Sequence, residues 1–374
     1  MTASATSSRR RFFRPTWAEV DLSALMGNLR KFRARMPKGV KLMFVVKANA
    51  YGHGAAACAA AAEKARLAEW LGVSSVEEGV TLREAGIKLP ILVLGSLFPF
   101  ESFLAAADHG LTPTIASLES AKRLVEAAKS LGRRVDCHIK VETGMGRIGV
   151  SPAAAVAAAE FLSRQPLVRL QGVYTHLSCA ETDAPFTRKQ LARFLEALDG
   201  LKALGIKVPL RHAANSAGAL KYPAARFDLV RPGLALYGLY EGFSPVLSLK
   251  SKLVFVKTVA KGTPISYGAS HRAKRVSRIA TLPIGYGDGW TRAHSNRGEA
   301  LVGGRRCPIV GRVTMDMTML DVTDAPQARV GDDAVLIGAQ GRARITAGEI
   351  SARLKTIPYE VTTALSSRVP RVYL

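Results

Sequence analysis

The chain has 374 residues, 48% of them apolar and 22% charged, enough for one large barrel and a second domain, each with its own core. No apolar run approaches the roughly 18 to 20 residues that a membrane span needs, which excludes transmembrane helices. The formal charge of +24 raises nucleic-acid binding, but the lysines and arginines are spread along the whole chain without interleaved aromatics; the charge reads as solubility and weak attraction for anionic substrates and cofactors.

At the N-terminus, Ser8-Arg9-Arg10-Arg11-Phe12-Phe13-Arg14 has the outline of a twin-arginine export signal. The apolar region such a signal needs does not follow; Pro15-Thr16-Trp17-Ala18-Glu19-Val20-Asp21 is amphipathic and acidic. Residues 1–14 therefore read as a basic, disordered tail. Cys58, Cys137, Cys179 and Cys307 lack metal-ligand spacing, and three of them sit in apolar runs, as reduced core cysteines of a cytoplasmic protein do.

Short apolar runs then alternate with helix-period segments. The runs are Leu42–Val46, Trp70–Val73, Ile91–Leu94, Leu111–Ile115, Val135–Val141, Leu170–Leu177, Leu210–Ala213 and Phe227–Val230. Continuous apolar strands joined by helices imply a parallel sheet covered on both faces, and eight such units fit an α/β fold of the (β/α)₈ TIM-like barrel type over residues 15–243. A doubly wound open sheet is the alternative, weakened because no GxGxxG follows the first strand. After about residue 243 the period changes. Val246–Lys257 alternates as a half-buried strand does, and Ser277–Ile284, Ala300–Val302, Ile309–Met319 and Ala334–Ile337 follow between Gly- and Asp-rich turns. One helix interrupts them at the capping box Thr346-Ala347-Gly348-Glu349. Residues 244–374 thus form a mostly antiparallel β domain.

In such barrels the chemistry sits at the C-terminal ends of the strands. Those ends offer Lys47 after the first strand, Lys140 near the end of the fifth with Arg147 shortly beyond, His176 at the sixth, Ser216 after the seventh and Arg231-Pro232-Gly233 after the eighth. A lysine at the edge of an apolar core is partly desolvated, which lowers its pKa and favours the neutral amine that Schiff-base chemistry needs. Ser216 and Gly233 fall in the loops where this fold commonly binds phosphate.

Val46-Lys47-Ala48-Asn49-Ala50-Tyr51-Gly52-His53-Gly54 resembles the pyridoxal phosphate (PLP) lysine motif of alanine racemases, and the resemblance extends from Trp17 to Arg371. It is carried also by Lys140-Val141-Glu142-Thr143-Gly144-Met145-Gly146-Arg147-Ile148-Gly149, His212-Ala213-Ala214-Asn215-Ser216, Arg231-Pro232-Gly233, Ser266-Tyr267-Gly268-Ala269, Ile284-Gly285-Tyr286-Gly287-Asp288-Gly289, Met315-Asp316 and Pro358-Tyr359-Glu360-Val361. It implies a PLP-dependent, homodimeric isomerase that interconverts L- and D-alanine for peptidoglycan by a two-base mechanism. Lys47 would carry PLP and act as the base on one face, and Tyr267, from the partner subunit, as the base on the other. Tyr51, Ser216, Tyr359 and the backbone at Gly233 and Leu234 would hold the phosphate. His176 would pack on the ring, and Arg231 would face the pyridine nitrogen. Arg147 and the Met315 N–H would bind the substrate carboxylate. Lys140 matches the family's carbamylated lysine, which would orient Arg147; a bound chloride or Glu142 beside an ordinary ammonium is the alternative. Asp316 would support the Tyr267 side, and Tyr286 and Tyr359 would narrow the entrance.

A racemase of broader specificity, for serine for instance, remains open on the same scaffold. Related decarboxylases fit less well, because Tyr267 and Met315-Asp316 stand in racemase-like context. PLP-binding regulatory proteins share the barrel and the lysine but lack the appended β domain.

Overall fold

The computed structural model describes residues 13–374 and divides into two units, one holding the residues up to Asp21 with Leu247–Leu374, the other Leu22–Val246. Of the expected tail, residues 1–12 lie outside the described residues.

In the larger unit, the eight apolar runs become eight parallel strands, Lys41–Val45, Trp70–Val73, Ile91–Val93, Thr112–Ile115, Val135–Lys140, Val168–Tyr174, Leu210–His212 and Leu229–Val230. The first pairs with the eighth, Lys41 opposite Leu229, and the ring closes through Asp228 N–H to Arg211 O (3.1 Å) and Arg231 N–H to Ala214 O (2.9 Å). Met43, Trp70, Leu92, Tyr174, Leu210 and Leu229, from six strands, pack together in one buried cluster, so the barrel is filled. Its helices start where side-chain oxygens take up orphan N–H groups: Ser75 accepts from Glu78, Ser117 forms a box with Ser120, and Ser151 and Asp183 each stand before a proline in the first turn. The alanine-rich helices Ala55–Lys64 and Pro152–Ser163 bury their small faces, Cys58, Ala59 and Ala62 in one, Ala155, Ala158 and Ala159 in the other. Small side chains allow that close approach.

The second unit carries a sheet in the order Arg305–Pro308, Glu299–Val302, Asp333–Gln340, Leu247–Lys252, Thr16–Val20, Arg371–Tyr373, with a three-stranded sheet formed by Phe255–Val259, Ser277–Leu282 and Thr318–Asp321. All these pairings are antiparallel except Thr16–Val20 with Arg371–Tyr373. Several expectations do not hold. The barrel does not start at residue 15: Thr16–Val20, half-buried in the alternating pattern of a two-faced sheet, pairs with Leu247–Lys252. Arg14 is not tail, since its guanidinium forks onto the buried carboxylate of Asp288 at 2.5 and 2.6 Å. Ile309–Met319 is not one strand; Gly311 turns the chain at positive φ, and a loop runs to Thr318. Val246–Lys257 also divides, into two strands separated at Leu253 and Val254. Helix Ala347–Leu354 starts at Thr346 as expected, yet the Glu349 carboxylate binds Arg306 and Arg353 instead of returning to the cap. Among the described residues no helix is long and apolar enough to cross a membrane.

Candidate active site

Lys47 follows the first barrel strand directly, and the chain then does something L-residues avoid. Ala48, Asn49, Ala50 and Tyr51 all have φ between +51° and +55°, a full left-handed turn closed by Gly52. Each such residue costs about 1–2 kcal/mol, so the turn needs braces. Glu78 supplies one, accepting from Ala48 N–H and Ser74 N–H at 2.7 Å each. The Asn49 side chain accepts from Ala55 N–H (2.8 Å), and buried His53 Nδ1 lies 2.9 Å from the Ala50 and Tyr51 carbonyls. The Lys47 ammonium is disfavoured by burial, then by Arg147 and Arg231, with Glu78 partly opposing, so its pKa lies below the ordinary lysine value.

Lys140, the last residue of the fifth strand, is only 2% exposed. Burial, followed by Arg147 and Arg231, pushes its pKa down to about 8. Glu142, the nearby acid, is occupied: its carboxylate accepts from Gly144, Met145, Gly146 and Arg147 N–H at 2.5, 2.6, 3.0 and 3.4 Å. It therefore shapes the loop that carries Arg147.

Arg231, buried at the end of the eighth strand, donates from Nη2 to Thr175 O (2.7 Å) and Ala213 O (3.0 Å), reaches His176 Nδ1 at 3.3 Å, and meets His212 Nδ1 from Nη1 at 2.8 Å. His176 is kept neutral, its pKa held well below the usual value by burial and by Arg231, Arg147, Lys140 and Lys47. Across the mouth, Ser216 Oγ accepts from Gly233 N–H (3.1 Å) and Ala235 N–H (3.3 Å). A Cβ on Gly233 would sit 2.5 Å from the Tyr51 hydroxyl, so only glycine lets that phenol approach the backbone. Leu234 is buried beside them. Nine residues expected from the sequence (Lys47, Tyr51, Lys140, Arg147, His176, Ser216, Arg231, Gly233 and Leu234) thus gather at strand ends of one barrel.

The remaining five lie in the β unit. Tyr267 stands on a short turn, 69% exposed on this chain, next to Ser266, whose hydroxyl donates to Arg312 O (2.6 Å). Tyr286 and Met315 share a loop pair through Gly287 N–H to Met315 O (2.9 Å), and Asp316 pairs with Arg368 at 2.6 Å. The Met315 N–H has no partner among the described residues. Tyr359 opens the helix Pro358–Thr363, half-buried.

Sequence reasoning missed Glu78, His138 and His212 as site-supporting residues. The signal for Glu78 was present, since Ser75-Val76-Glu77-Glu78 has the S-x-x-E spacing of a helix start.

The N-terminal domain model of alanine racemases matches residues 20–241, and the C-terminal domain model matches 246–373. The alanine racemase of Symbiobacterium thermophilum is 47% identical over 369 residues, 96% of this chain and 97% of that one; that of Halothermothrix orenii is 43% identical over 97% and 98%. Among solved structures, the alanine racemase of Bacillus anthracis with bound L-Ala-P superposes with a TM-score of 0.92 at 38% identity, over 97% of this chain and 96% of that one. The alanine racemase of Clostridium difficile 630 gives 0.92 at 36%, over 97% of both. The chain belongs to the alanine racemase family.

Proposed function

We propose that the protein interconverts L- and D-alanine with PLP, as a cytoplasmic homodimer with shared sites that supplies D-alanine for peptidoglycan. The observation that carries this reading is Lys47: an amine biased toward its neutral form, on a braced turn, between Arg147 and Arg231. The barrel residues fit PLP. Tyr51, Ser216 and the glycine-lined backbone at 233 make a small cradle of hydroxyl and N–H groups suited to a phosphate, and Lys47 offers the amine for the aldehyde. Leu234 and, from the β unit, Tyr359 complete the proposed phosphate set. When bound, PLP would supply the electron sink for the substrate Cα.

The chain's own residues do the rest. Arg147 pairs with the substrate carboxylate, assisted by the Met315 N–H, which has no partner among the described residues. Lys47 Nζ takes or gives the Cα proton on one face, and the Tyr267 hydroxyl does so on the other, which is what racemisation requires. Arg231 stays protonated at neutral pH and can only donate. A ring nitrogen facing it would stay unprotonated, which would keep the sink weak and suppress side reactions. His176, held neutral, would pack against the ring without adding a positive charge, its one proton lying on Nε2 because Arg231 approaches Nδ1. Tyr286 and Tyr359 narrow the entrance, and Asp316, tied to Arg368, supports the Tyr267 side.

Purified protein with PLP, incubated with separate L-amino acids and read by chiral chromatography, should racemise L-alanine well above L-serine. Borohydride reduction and peptide mapping should mark Lys47, and Lys47→Ala should abolish both the mark and the activity. Labelling of another lysine would overturn the assignment.

A further inference from the structure

A chain of three buried side chains runs inward from the site: Arg231 Nη1 to His212 Nδ1 at 2.8 Å, and His212 Nε2 to His138 Nδ1 at 2.9 Å. A guanidinium has five donors and no acceptor. His212 Nδ1 must therefore present a lone pair, which makes His212 neutral with its proton on Nε2. That proton can only be donated to His138 Nδ1, so His138 is also neutral and carries its proton on Nε2. The relay ends there: His138 Nε2 is buried and has no hydrogen-bond partner among the described residues. Each proton position follows from the arginine at the mouth. The protonation equilibria agree, since burial and then Arg231 hold His138 down to about 3 and His212 well below its usual value.

An unpaired buried N–H is destabilising, and an apolar side chain would avoid it. The fold also makes room for the imidazole. Gly172 stands opposite His138 across the sheet, and a Cβ there would fall 2.6 Å from the ring's Nδ1 and Cε1. The pairing register shifts between Cys137 and His138, and Tyr174 stacks on His212 at 4.8 Å with planes 5° apart. What His138 offers in return is an acceptor at one place. We propose that His138 is a positioning residue for Arg231: its Nδ1 accepts the His212 Nε2 proton and so fixes the ring orientation of His212, whose Nδ1 lone pair then anchors the guanidinium. The catalytic consequence rests on the reading of Arg231 given above.

Two variants separate acceptor from packing. His138→Asn keeps an acceptor oxygen near the position of Nδ1, with an amide NH₂ in place of the ring's far edge; His138→Phe keeps the ring and removes the acceptor. In the PLP-loaded enzyme, ¹⁵N ring correlation spectra of the 7 histidines should show His212 as the Nε2–H tautomer throughout, with the hydrogen-bonded Nε2–H shift of wild type kept in His138→Asn and lost in His138→Phe. Alongside, kcat should fall about tenfold in His138→Phe with KM nearly unchanged, and stay within about threefold of wild type in His138→Asn. Should His138→Phe fail to fold, Gly172→Ala, which crowds the ring without changing it, should reproduce the His212 change. A wild-type His212 protonated on both nitrogens or on Nδ1 would overturn the relay, as would His138→Phe and His138→Asn behaving alike. Loss of the His212 Nε2–H hydrogen bond with unchanged kcat would overturn the positioning role, whereas absence of racemisation in wild type would strike at the proposed function and leave the spectra standing.

Discussion

Lys140 carries the sharpest electrostatic conflict in the barrel. Its amine is buried among Arg147, Arg231 and Lys47, and Glu142 has committed its oxygens to four backbone N–H groups, so among the described residues no carboxylate is paired with it. With a pKa of about 8 in place of the ordinary 10.5, a useful fraction of the amine is neutral at pH 7–8 and can add to CO₂, losing one proton and becoming a carboxylate. That product would turn repulsion from Arg147 into a charge-assisted hydrogen bond. Intact mass at near-neutral pH should show the added CO₂, Lys140→Ala should lose activity, and short carboxylic acids should partly restore it. Unmodified Lys140 in fully active enzyme would refute the carbamate. The sign of the pH effect follows as well. A base with a depressed folded pKa destabilises the fold where it is charged, so in CO₂-free buffer the penalty is present below about pH 8 and fades as pH rises toward the unfolded value. Urea titrations should show stability rising through that window, by on the order of 3 kcal/mol, and the rise should vanish in Lys140→Met.

Among the elements, the left-handed turn Ala48–Tyr51 holds Lys47 at its entry and Tyr51 at its exit, the proposed PLP lysine and phosphate ligand. Glu78 accepts at the turn and at Ser74, and its charge also supports the Lys47 ammonium. Glu78→Gln, which leaves one of the two acceptor oxygens, should therefore destabilise the protein by about 0.5–1.5 kcal/mol in urea unfolding, and should shift the Lys47 titration to lower pH. A shift upward, or none in either measurement, would remove Glu78 from the site. This element also marks how far the sequence could be read. The strand Lys41–Val45 and its seven companions were legible because parallel strands buried on both faces are uninterrupted apolar runs. Seven of the nine barrel residues were legible because strand ends are where side chains meet, whereas Tyr51 and Leu234 came only from the resemblance. Four consecutive positive φ values at Ala-Asn-Ala-Tyr were not legible, since no glycine announces them; tertiary braces impose them. Thr16–Val20 shows a second limit: its alternation says strand, but nothing in five residues says that the partner is Leu247–Lys252. His138 and His212 lie inside apolar runs, where an isolated histidine reads as core.

For the whole molecule, the decisive question is how the two proposed bases are brought together. Lys47 belongs to the barrel unit and Tyr267 to the β unit, and on this chain Tyr267, Tyr286, Met315 and Met317 are all large, apolar-bodied and exposed. Exposed side chains of that kind gathered on neighbouring loops favour a protein partner. The proposed dimer makes the partner a second copy, which delivers Tyr267 in trans. A two-fold interface then fixes the arithmetic. Lys47→Ala chains and Tyr267→Phe chains, each nearly inactive alone, re-assort at equal ratio so that half of the dimers are hybrids. Each hybrid has one site with both bases and one with neither, so about a quarter of wild-type activity should return. The measurement is alanine racemisation after unfolding and joint refolding, with differently tagged chains confirming the hybrids. Recovery near a quarter supports sites shared between subunits; no recovery in verified hybrids means that Lys47 and Tyr267 of the same chain work together.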